Sequence, residues 1–265
     1  NYFNENIMSN DLGILVLSCD KFHDLWKPYF TLFREYYNGS SQVYLGSNTV
    51  TFEDDKITTI YSGEDTDWST SCRNILRQIP NKYILLLLED IFITSKIDSN
   101  KINQHLQYMK DNKAKHIHLG PTPKPDKWVL DQEFGVYEKG APYRVNVVGY
   151  WDKEYLLNLL LDGESPWDFE IKGSYRTAYH GGFYCLQKPL FSSIHVLEKG
   201  RWLPEAVKYN KKHNISLEIE KRPILSRHTN LKSNLQEYYF NLMIKIPWIF
   251  RVKIMDVLRK LLISY

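Results

Sequence analysis

The chain has 265 residues, a formal net charge of +3 and 25% charged residues. This length fits one large α/β domain, or one domain with a small appendage. The mild charge argues against a nucleic-acid-binding protein, which usually presents a concentrated basic face. The three cysteines show no CxxC spacing, so neither a disulfide framework nor a thiolate zinc site is indicated. Without a visible signal peptide or bilayer-spanning run, we expect a cytoplasmic location.

Strands and helices are predicted to alternate along the chain. Apolar runs predict strands at 12–20, 42–46, 57–61, 82–93, 143–151 and 184–186, and an alternating pattern predicts a short strand at 116–119. Apolar residues at helical spacing predict helices at 21–37, 68–78, 98–112, 152–161 and 203–213. This order predicts a three-layer α/β/α sandwich around a mostly parallel sheet. Because neither GxGxxG nor GxxxxGK[ST] follows the first strand, an ordinary dinucleotide-binding fold and a P-loop NTPase are disfavoured.

The central predicted strand, 82–93, carries two adjacent carboxylates, Glu89 and Asp90. Burying a bare carboxylate is costly, so the pair should lie where the strand ends at its carboxyl edge. Ligands bind at that edge in open α/β sheets. The two carboxylates therefore either hold a divalent cation, which in turn bridges a diphosphate, or form a solvated strand end.

A second acidic cluster occupies 162–170, where a Pro-Trp pair in a predicted turn would form an aromatic wall beside Asp168 and Glu170. Partial desolvation raises the pKa of a carboxylate and makes it a better proton acceptor at neutral pH. Alternatively, Asp162 and Ser165 cap helices, and Asp168 and Glu170 pair with Lys172 or Arg176.

Two histidines, His116 and His118, fall on one face of a short predicted strand. A half-exposed strand face is favoured there over a metal site.

The composition changes over 235–263, where apolar and aromatic residues alternate with lysine and arginine. Pro247 is expected to divide this stretch into two amphipathic helices. Such helices can lie in a membrane interface, here the inner face of the cytoplasmic membrane, or pack on the domain or on a second subunit of a homodimer. We therefore predict a main domain at 1–230 and a basic amphipathic segment at 231–265.

The order of these features resembles a glycosyltransferase with the GT-A fold, and is most similar to small bacterial transferases that build surface polysaccharides such as capsule or O-antigen. Four segments carry the resemblance: Leu-Val-Leu-Ser-Cys-Asp at 15–20, Gly-Glu-Asp-Thr-Asp-Trp-Ser at 63–69, Leu-Leu-Glu-Asp at 87–90, and Pro-Trp-Asp-Phe-Glu at 166–170. The resemblance implies a nucleotide-sugar donor and a glycan or lipid-linked glycan acceptor. It also implies a single inverting displacement onto an acceptor hydroxyl.

The resemblance also implies roles for individual residues. Glu170 would be the catalytic base, with Asp168 the second candidate for that role or a ligand of acceptor hydroxyls. Further acceptor contacts would come from Trp167, His180 and Arg144. The donor would be bound by residues of the first three segments and their neighbours, namely Asp20, Lys21, Asp65, Asp67, Trp68, Arg73, Glu89 and Asp90.

One departure from the family pattern concerns the metal. The family has an Asp-x-Asp motif, whereas this chain has Glu89 and Asp90 followed by the apolar Ile91. Either Asp90 and Glu89 bind Mn²⁺ or Mg²⁺, or basic residues neutralise the diphosphate instead, the candidates being Lys21, Arg73, Arg144 and Arg201. A non-catalytic carbohydrate- or nucleotide-binding module and a nucleotidyltransferase are the competing interpretations.

Overall fold

The structure is a computed structural model that describes residues 11–129, 132–225 and 242–262. Its strands are β1 (Leu12–Leu17), β2 (Gln42–Ser47), β3 (Ile57–Tyr61), β4 (Tyr83–Leu88), β5 (Ile91–Ile93), β6 (His116–His118), β7 (Lys127–Val129), β8 (Phe134–Val136), β9 (Gly149–Asp152), β10 (Phe183–Leu186), β11 (Ser193–His195), β12 (Leu197–Glu198) and β13 (Arg201–Trp202). Its helices are α1 (His23–Tyr36), α2 (Trp68–Leu76), α3 (Ser99–Asp111), α4 (Lys153–Leu159), α5 (Pro166–Arg176), α6 (Pro204–Lys212) and α7 (Trp248–Leu262).

Nine of these strands form one sheet in the order β3-β2-β1-β4-β9-β6-β10-β8-β7. Strands β1 to β4 pair in parallel, as do β6 and β10. Strand β9 is antiparallel to both β4 and β6, and β8 is antiparallel to β10 and β7. Only β8 and β9 therefore run against the common direction, which confirms the predicted mostly parallel sheet.

Side chains of β1 alternate between two apolar cores, one on each face of the sheet. Ile14 and Val16 belong to the core covered by α1, α3 and α6. Leu15 and Leu17 belong to the core covered by α2, α4 and α5. The apolar run of β1 is thus buried on both faces, and the predicted three-layer α/β/α sandwich is confirmed.

The predicted central strand is shorter than its apolar run. Strand β4 ends at Leu88, and Glu89 and Asp90 form a turn. The apolar residues beyond the turn form β5, which pairs with β11 in a separate two-stranded sheet. The break places the two carboxylates at the end of a strand rather than within one.

The predicted strand at 143–151 is mostly wrong, because only Gly149–Asp152 is a strand. Gly149 has φ +154°, and a Cβ there would lie 2.4 Å from His116 Cε1 and 2.6 Å from the Ile117 carbonyl oxygen. The chain can enter the sheet so closely only through glycine. The expected half-exposed histidine face is also wrong. His116 and His118 are buried, and the His116 ring stacks on Trp151 with 3.9 Å between centroids.

Helix α5 replaces the turn predicted around the Pro-Trp pair. Ser165 is its N-cap, Pro166 occupies the first turn, and Asp168 completes a capping box with Ser165. The proline that appeared to hold a turn therefore begins a helix.

Helix α7 begins immediately after Pro247, where the sequence predicted a break. Its Arg251 is fully buried and donates hydrogen bonds to Asp126 Oδ1 at 2.7 Å and to the Lys139 carbonyl at 3.0 Å. Val252 and Met255 are buried on the same side. The helix thus packs on the domain, while the predicted boundary at 230/231, residues 235–241 and residue 263 lie outside the described residues. None of the described helices is long and apolar enough to cross a bilayer.

Candidate active site at the carboxyl edge of the sheet

Strands β1 to β4 end at one edge of the sheet, called here the carboxyl edge. Glu89 and Asp90 follow β4 at this edge, and Glu89 is only 6% exposed. Burial, and then the charge of Asp90, raise the pKa of Glu89 to about 8. Burial likewise raises the pKa of Asp90, although the charge of His195 opposes it. A buried pair that resists ionisation in this way would gain from a cation bound between its carboxylates.

The donor set offered to such a cation is small. No group of three histidine, cysteine or carboxylate side chains lies in a metal-binding arrangement within the described part of the chain. Glu89 and Asp90 would supply two oxygen ligands to Mg²⁺ or Mn²⁺, and the remaining ligands would come from water or a diphosphate. The oxygen chemistry fits such an ion, and metal binding stays a prediction.

Asp20 holds the loop that follows β2. Its carboxylate accepts hydrogen bonds from the backbone amides of Asn48, Thr49 and Val50 at 2.9–3.1 Å and from Thr49 Oγ1 at 2.6 Å. Burial raises the pKa of Asp20, but these hydrogen bonds outweigh it and lower the pKa below its ordinary value. The structure therefore shows Asp20 shaping the edge, and direct contact with a donor stays a prediction.

The loop that follows β3 leads into α2. Asp67 caps α2, accepting from the Thr70 amide at 2.9 Å and from Ser69 Oγ at 2.7 Å. Burial raises the pKa of Asp67, but these hydrogen bonds outweigh it and hold the pKa well below the usual range. Asp65 is exposed, and its charge raises the pKa of Cys19 after the larger effects of burial and Glu89. Asp65 thus lies near Cys19, at the end of β1.

Glu170 on α5 reaches the chain just before β9. Its Oε1 accepts a hydrogen bond from the Val147 amide at 3.0 Å. Strand β9 opposes β4 with Gly149 beside Leu86, so Val147, two residues earlier, lies beside the end of β4. Burial raises the pKa of Glu170 and outweighs the effect of that amide. The predicted base is thereby positioned at the carboxyl edge, close to the strand that carries Glu89.

Asp168 has a different environment from Glu170. Ser165 Oγ donates to Asp168 Oδ2 at 2.7 Å, and Lys172 Nζ lies 3.2 Å from Asp168 Oδ1. The hydrogen bond from Ser165 lowers the pKa of Asp168, and Lys172 lowers it further. Asp168 is a helix-capping carboxylate paired with lysine, whereas Glu170 makes no such pair with any residue that the structure describes. The pairing alternative therefore holds for Asp168, and the base role of Glu170 stays a prediction.

Two predicted segments, 63–69 and 166–170, are joined directly. The Ser69 amide donates to the Glu164 carbonyl at 3.2 Å, and the Glu164 amide donates to Ser69 Oγ at 3.1 Å. The Trp68 ring packs at 5.4 Å against Phe169 of α5. The structure thus brings the predicted donor loop and the predicted base onto neighbouring elements.

Trp167 projects away from this contact. It is 74% exposed, so it does not form the wall that was expected beside the base. Arg73 is paired with Asp162 and donates to the Leu160 carbonyl at 2.7 Å, which fixes it on the loop preceding α5. Lys21 is exposed in the short 3₁₀ turn Asp20–Phe22 at the carboxyl edge.

Arg144 and His180 lie elsewhere. The Arg144 guanidinium is fully buried, 4.2 Å from the centroid of the Phe183 ring, which opens β10 at the opposite edge. His180 Nδ1 lies 2.6 Å from the Tyr155 hydroxyl on α4. The geometry gives no support to the predicted acceptor contacts of these two residues, which stay predictions.

Sequence reasoning missed two side chains of the edge. Asn48 accepts from the Asp20 amide at 3.0 Å and donates to Ser62 Oγ at 3.0 Å, which ties three strand ends together. Its place directly after a predicted strand was the available signal. Arg222 ion-pairs with Asp24, and its charge partly offsets the rise that burial causes in the pKa of Glu89. No local pattern marks it, because its partner is 198 residues away.

No family model matches the chain, and no curated protein matches it. Among solved structures, S. aureus TarS is similar with a TM-score of 0.45 and 8% identity over 80% of this chain. The chain spans 41% of the length of that protein. S. aureus TarS 1–349 in complex with UDP-GlcNAc is similar with a TM-score of 0.42 and 10% identity, over 80% of this chain and 69% of that one. The same fragment in complex with UDP is similar with a TM-score of 0.43 and 7% identity, over 67% of this chain and 60% of that one.

Proposed function

We propose that the protein is a glycosyltransferase that moves a sugar from a nucleotide-sugar donor to an acceptor hydroxyl. The observation that supports this most strongly is the place of Glu170. This carboxylate of raised pKa is held beside the end of β4, and the buried Glu89 and half-buried Asp90 follow that strand. Glu170 is suited to accept a proton, and the pair of Glu89 and Asp90 is suited to hold a cation that binds a diphosphate. That the acceptor is a bacterial surface glycan rests on the sequence resemblance alone.

In the proposed reaction Glu170 takes the proton of an acceptor hydroxyl. The hydroxyl oxygen forms a bond to the anomeric carbon while the bond from that carbon to the diphosphate oxygen breaks. The nucleoside diphosphate leaves with the bonding electron pair, and the configuration at the carbon inverts. A divalent cation held by Glu89 and Asp90 would stabilise the charge of the leaving diphosphate.

The position of Arg222 supports the same location for the leaving group. Its guanidinium is fixed by Asp24, and its charge reaches Glu89 and Cys19 at the ends of β4 and β1. Of the basic residues suggested to neutralise the diphosphate, Arg73 and Arg144 are placed elsewhere, and Arg222 takes their place in this proposal.

We also propose that α7 contacts an anionic membrane surface. Its side opposite the buried Arg251 carries Phe250, Ile254 and Val257, which are 61%, 38% and 57% exposed and recur at helical spacing. Exposed Lys253 lies among them. An apolar stripe with an adjacent cation is the composition expected of an interfacial helix.

A thermal-shift panel of nucleoside diphosphates and nucleotide sugars, with and without Mn²⁺, tests the donor part of the proposal. A ligand that binds the folded state raises the melting temperature by mass action. Selective stabilisation by one nucleotide, followed by release of nucleoside diphosphate from the matching nucleotide sugar, is the expected result. Stabilisation without any release would favour the non-catalytic binding module. Conversion of the nucleotide sugar and added pyrophosphate into a nucleoside triphosphate and a sugar 1-phosphate would favour a nucleotidyltransferase.

A further inference from the structure

A basic cavity lies at the amino edge of the sheet, opposite the carboxyl edge. It encloses about 480 Å³ and is lined by lysines and two residues of the α4 region, namely Lys82, Lys110, Lys113, Lys115, Asp152 and Tyr155. Lys82 directly precedes β4 and Lys115 directly precedes β6, while Asp152 ends the antiparallel β9. The volume is within the range of about 300–1,000 Å³ that is usual for small-molecule sites. This cavity is called the basic pocket below.

The charge of the basic pocket is not balanced. Its carboxylate, Asp152, is occupied as the N-cap of α4 and accepts from the Tyr155 amide at 3.0 Å. Lys110 is paired with Asp11 at 2.6 Å. Among the residues that the structure describes, no ion pair joins Lys82, Lys113 or Lys115 to a carboxylate. Three ammonium groups therefore share the pocket without a carboxylate counter-ion from the part of the chain that the structure describes.

Lys115 is built into the fold rather than free on the surface. Its amide donates to the Gly182 carbonyl at 2.8 Å, and its carbonyl accepts from the Asp152 amide at 3.0 Å. Its Nζ lies 4.7 Å from the centroid of the Tyr155 ring. Burial lowers the pKa of Lys115, and the charge of Arg144 lowers it further. The ammonium is thus partly desolvated and held in one place, which a bound anion would stabilise.

Arg144 adds positive charge from beneath the pocket. It is fully buried, and its Nε and Nη2 have no hydrogen-bond partner among the described residues. Its charge contributes to lowering the pKa of both Lys115 and His180, after the larger effect of burial. A buried cation with unused donors increases the attraction of the region for an anion.

Lys113 lies at the rim in a conformation that disfavours lysine. Its φ of +48° is in the left-handed region, which glycine and asparagine adopt more easily. The backbone conformation at this position therefore does not favour a lysine. A role for the lysine charge in the basic pocket would account for the residue.

We propose that the basic pocket binds a phosphate group, carried either by a soluble phosphorylated molecule or by a phospholipid head group. Lysine ammonium groups bind phosphate as point charges, and several of them together match its double negative charge. The pocket is separated from the carboxyl edge by the length of the parallel strands. The proposal therefore does not rest on the glycosyltransferase assignment.

Titration of the full chain with pyrophosphate tests the site, using a triple variant Lys82→Gln, Lys113→Asn, Lys115→Gln. A matched control is Lys208→Gln, Lys211→Gln, Lys212→Gln, which removes the same charge from exposed positions of α6. We expect the first variant to weaken binding by about tenfold or more and the control to retain it. No binding by the wild-type chain, or an equal loss in both variants, would overturn the proposal.

Hydrogen exchange locates the bound anion. We expect pyrophosphate to slow exchange of the amides at 113–115 and 153–158. Protection confined to 18–20 and 89–90 would place the anion at the carboxyl edge and overturn the proposal. If the triple variant fails to fold by circular dichroism, the pair Lys82→Gln, Lys113→Asn replaces it, because both side chains are exposed and asparagine suits the left-handed backbone.

Vesicles distinguish the two sources of phosphate. Phosphatidylcholine vesicles with and without phosphatidic acid are mixed with the wild-type chain and both variants. Binding that requires phosphatidic acid and is lost only in the pocket variant supports a lipid head group. Pyrophosphate binding without vesicle binding supports a soluble ligand. Binding to neither overturns the proposal.

Discussion

Arg222 donates two hydrogen bonds of 2.8 Å to the carboxylate of Asp24, across 198 residues of chain. A third bond, of 2.7 Å, joins its Nη2 to the Lys21 carbonyl. The side chain of Asp24 is 2% exposed and that of Arg222 is 13% exposed. The pair ties the segment that follows α6 to the first turn of α1, next to the buried Glu89.

Replacing Arg222 with alanine should destabilise the protein strongly, because it leaves the Asp24 carboxylate buried without its cation. Removing one partner of a buried pair costs about 3–5 kcal/mol. Lys101→Ala is the control, since its pair with Glu133 is 46% and 42% exposed, and it should cost less than about 1 kcal/mol. Chemical denaturation of the three proteins measures both values. Equal losses in the two variants would contradict a buried role for Arg222.

Glu89→Gln should stabilise the protein increasingly as pH rises. Burial raises the pKa of Glu89 to about 8 from its ordinary 4.5, so between these values the folded state keeps a proton that the unfolded chain loses. The free energy of unfolding therefore falls with pH through this window, and glutamine abolishes that fall. Chemical denaturation at pH 5 and pH 8.5 measures the free energy of unfolding of both proteins, and Glu205→Gln, at an exposed position, is the control. A difference from wild type that is constant with pH would refute the buried assignment.

Glu170→Gln should abolish most turnover while nucleotide binding and stability persist. Loss of a general base typically costs about 10²–10⁴-fold in rate. Because burial raises the pKa of Glu170 and the base acts when deprotonated, the rate should rise with pH through a pKa above the ordinary 4.5. Steady-state release of nucleoside diphosphate against pH measures this.

Asp168→Asn is the matched variant for that experiment. It should reduce stability by about 1 kcal/mol or less, because it removes the partly exposed ion pair with Lys172 while the Ser165 cap of α5 remains, with turnover nearly retained. Turnover that is lost in Asp168→Asn and kept in Glu170→Gln would exchange the two roles.

Trp167→Ala and Trp68→Ala should separate binding from stability. Trp167 is 74% exposed, so its removal should change the free energy of unfolding by about 0.5 kcal/mol or less. If it contacts the acceptor, acceptor KM should rise while kcat is kept. Trp68 packs on Phe169, and its removal should cost about 1–3 kcal/mol. Melting curves and acceptor titrations check both, and an unchanged KM in Trp167→Ala would end its acceptor role.

Phe250→Ser combined with Val257→Ser should reduce flotation of the full chain with anionic vesicles. Both side chains are exposed on α7, so the melting temperature should stay near the wild-type value. Leu161→Ser, which removes a 48% exposed leucine elsewhere, is the control and should leave flotation unchanged. Undiminished flotation of the double variant would remove the membrane role of this stripe.

Most of the layered fold could be predicted because its signals are local. The apolar runs of β1 and β4 require burial on both faces, and Asp152 and Asp67 cap the helices that they precede. Helix α5 was anticipated only in the alternative that made Ser165 a helix cap, because the proline was interpreted as holding a turn. The β7–β8 hairpin was missed, since its strands have three residues each.

The candidate site was predictable only in part. Carboxylates that end strands are found by position along the sequence, which gave Asp20, Glu89 and Asp90. Contacts such as Glu170 with Val147, 23 residues apart, depend on how α5 docks on the sheet. Neither periodicity nor spacing encodes that docking, so the differing environments of Glu170 and Asp168 became apparent only in three dimensions.

The reversal of direction at β9 has a consequence for how such a protein can diversify. Because β9 runs antiparallel to β4, the first residue of β9, Gly149, lies at the carboxyl edge. Two separate segments of the chain therefore form this edge, one that ends at Asp90 and one that leads into Gly149. Under the proposed function, donor groups belong to the earlier segment and the base to the later one. Changes in 143–170 can then alter acceptor preference while the donor-binding half keeps its sequence.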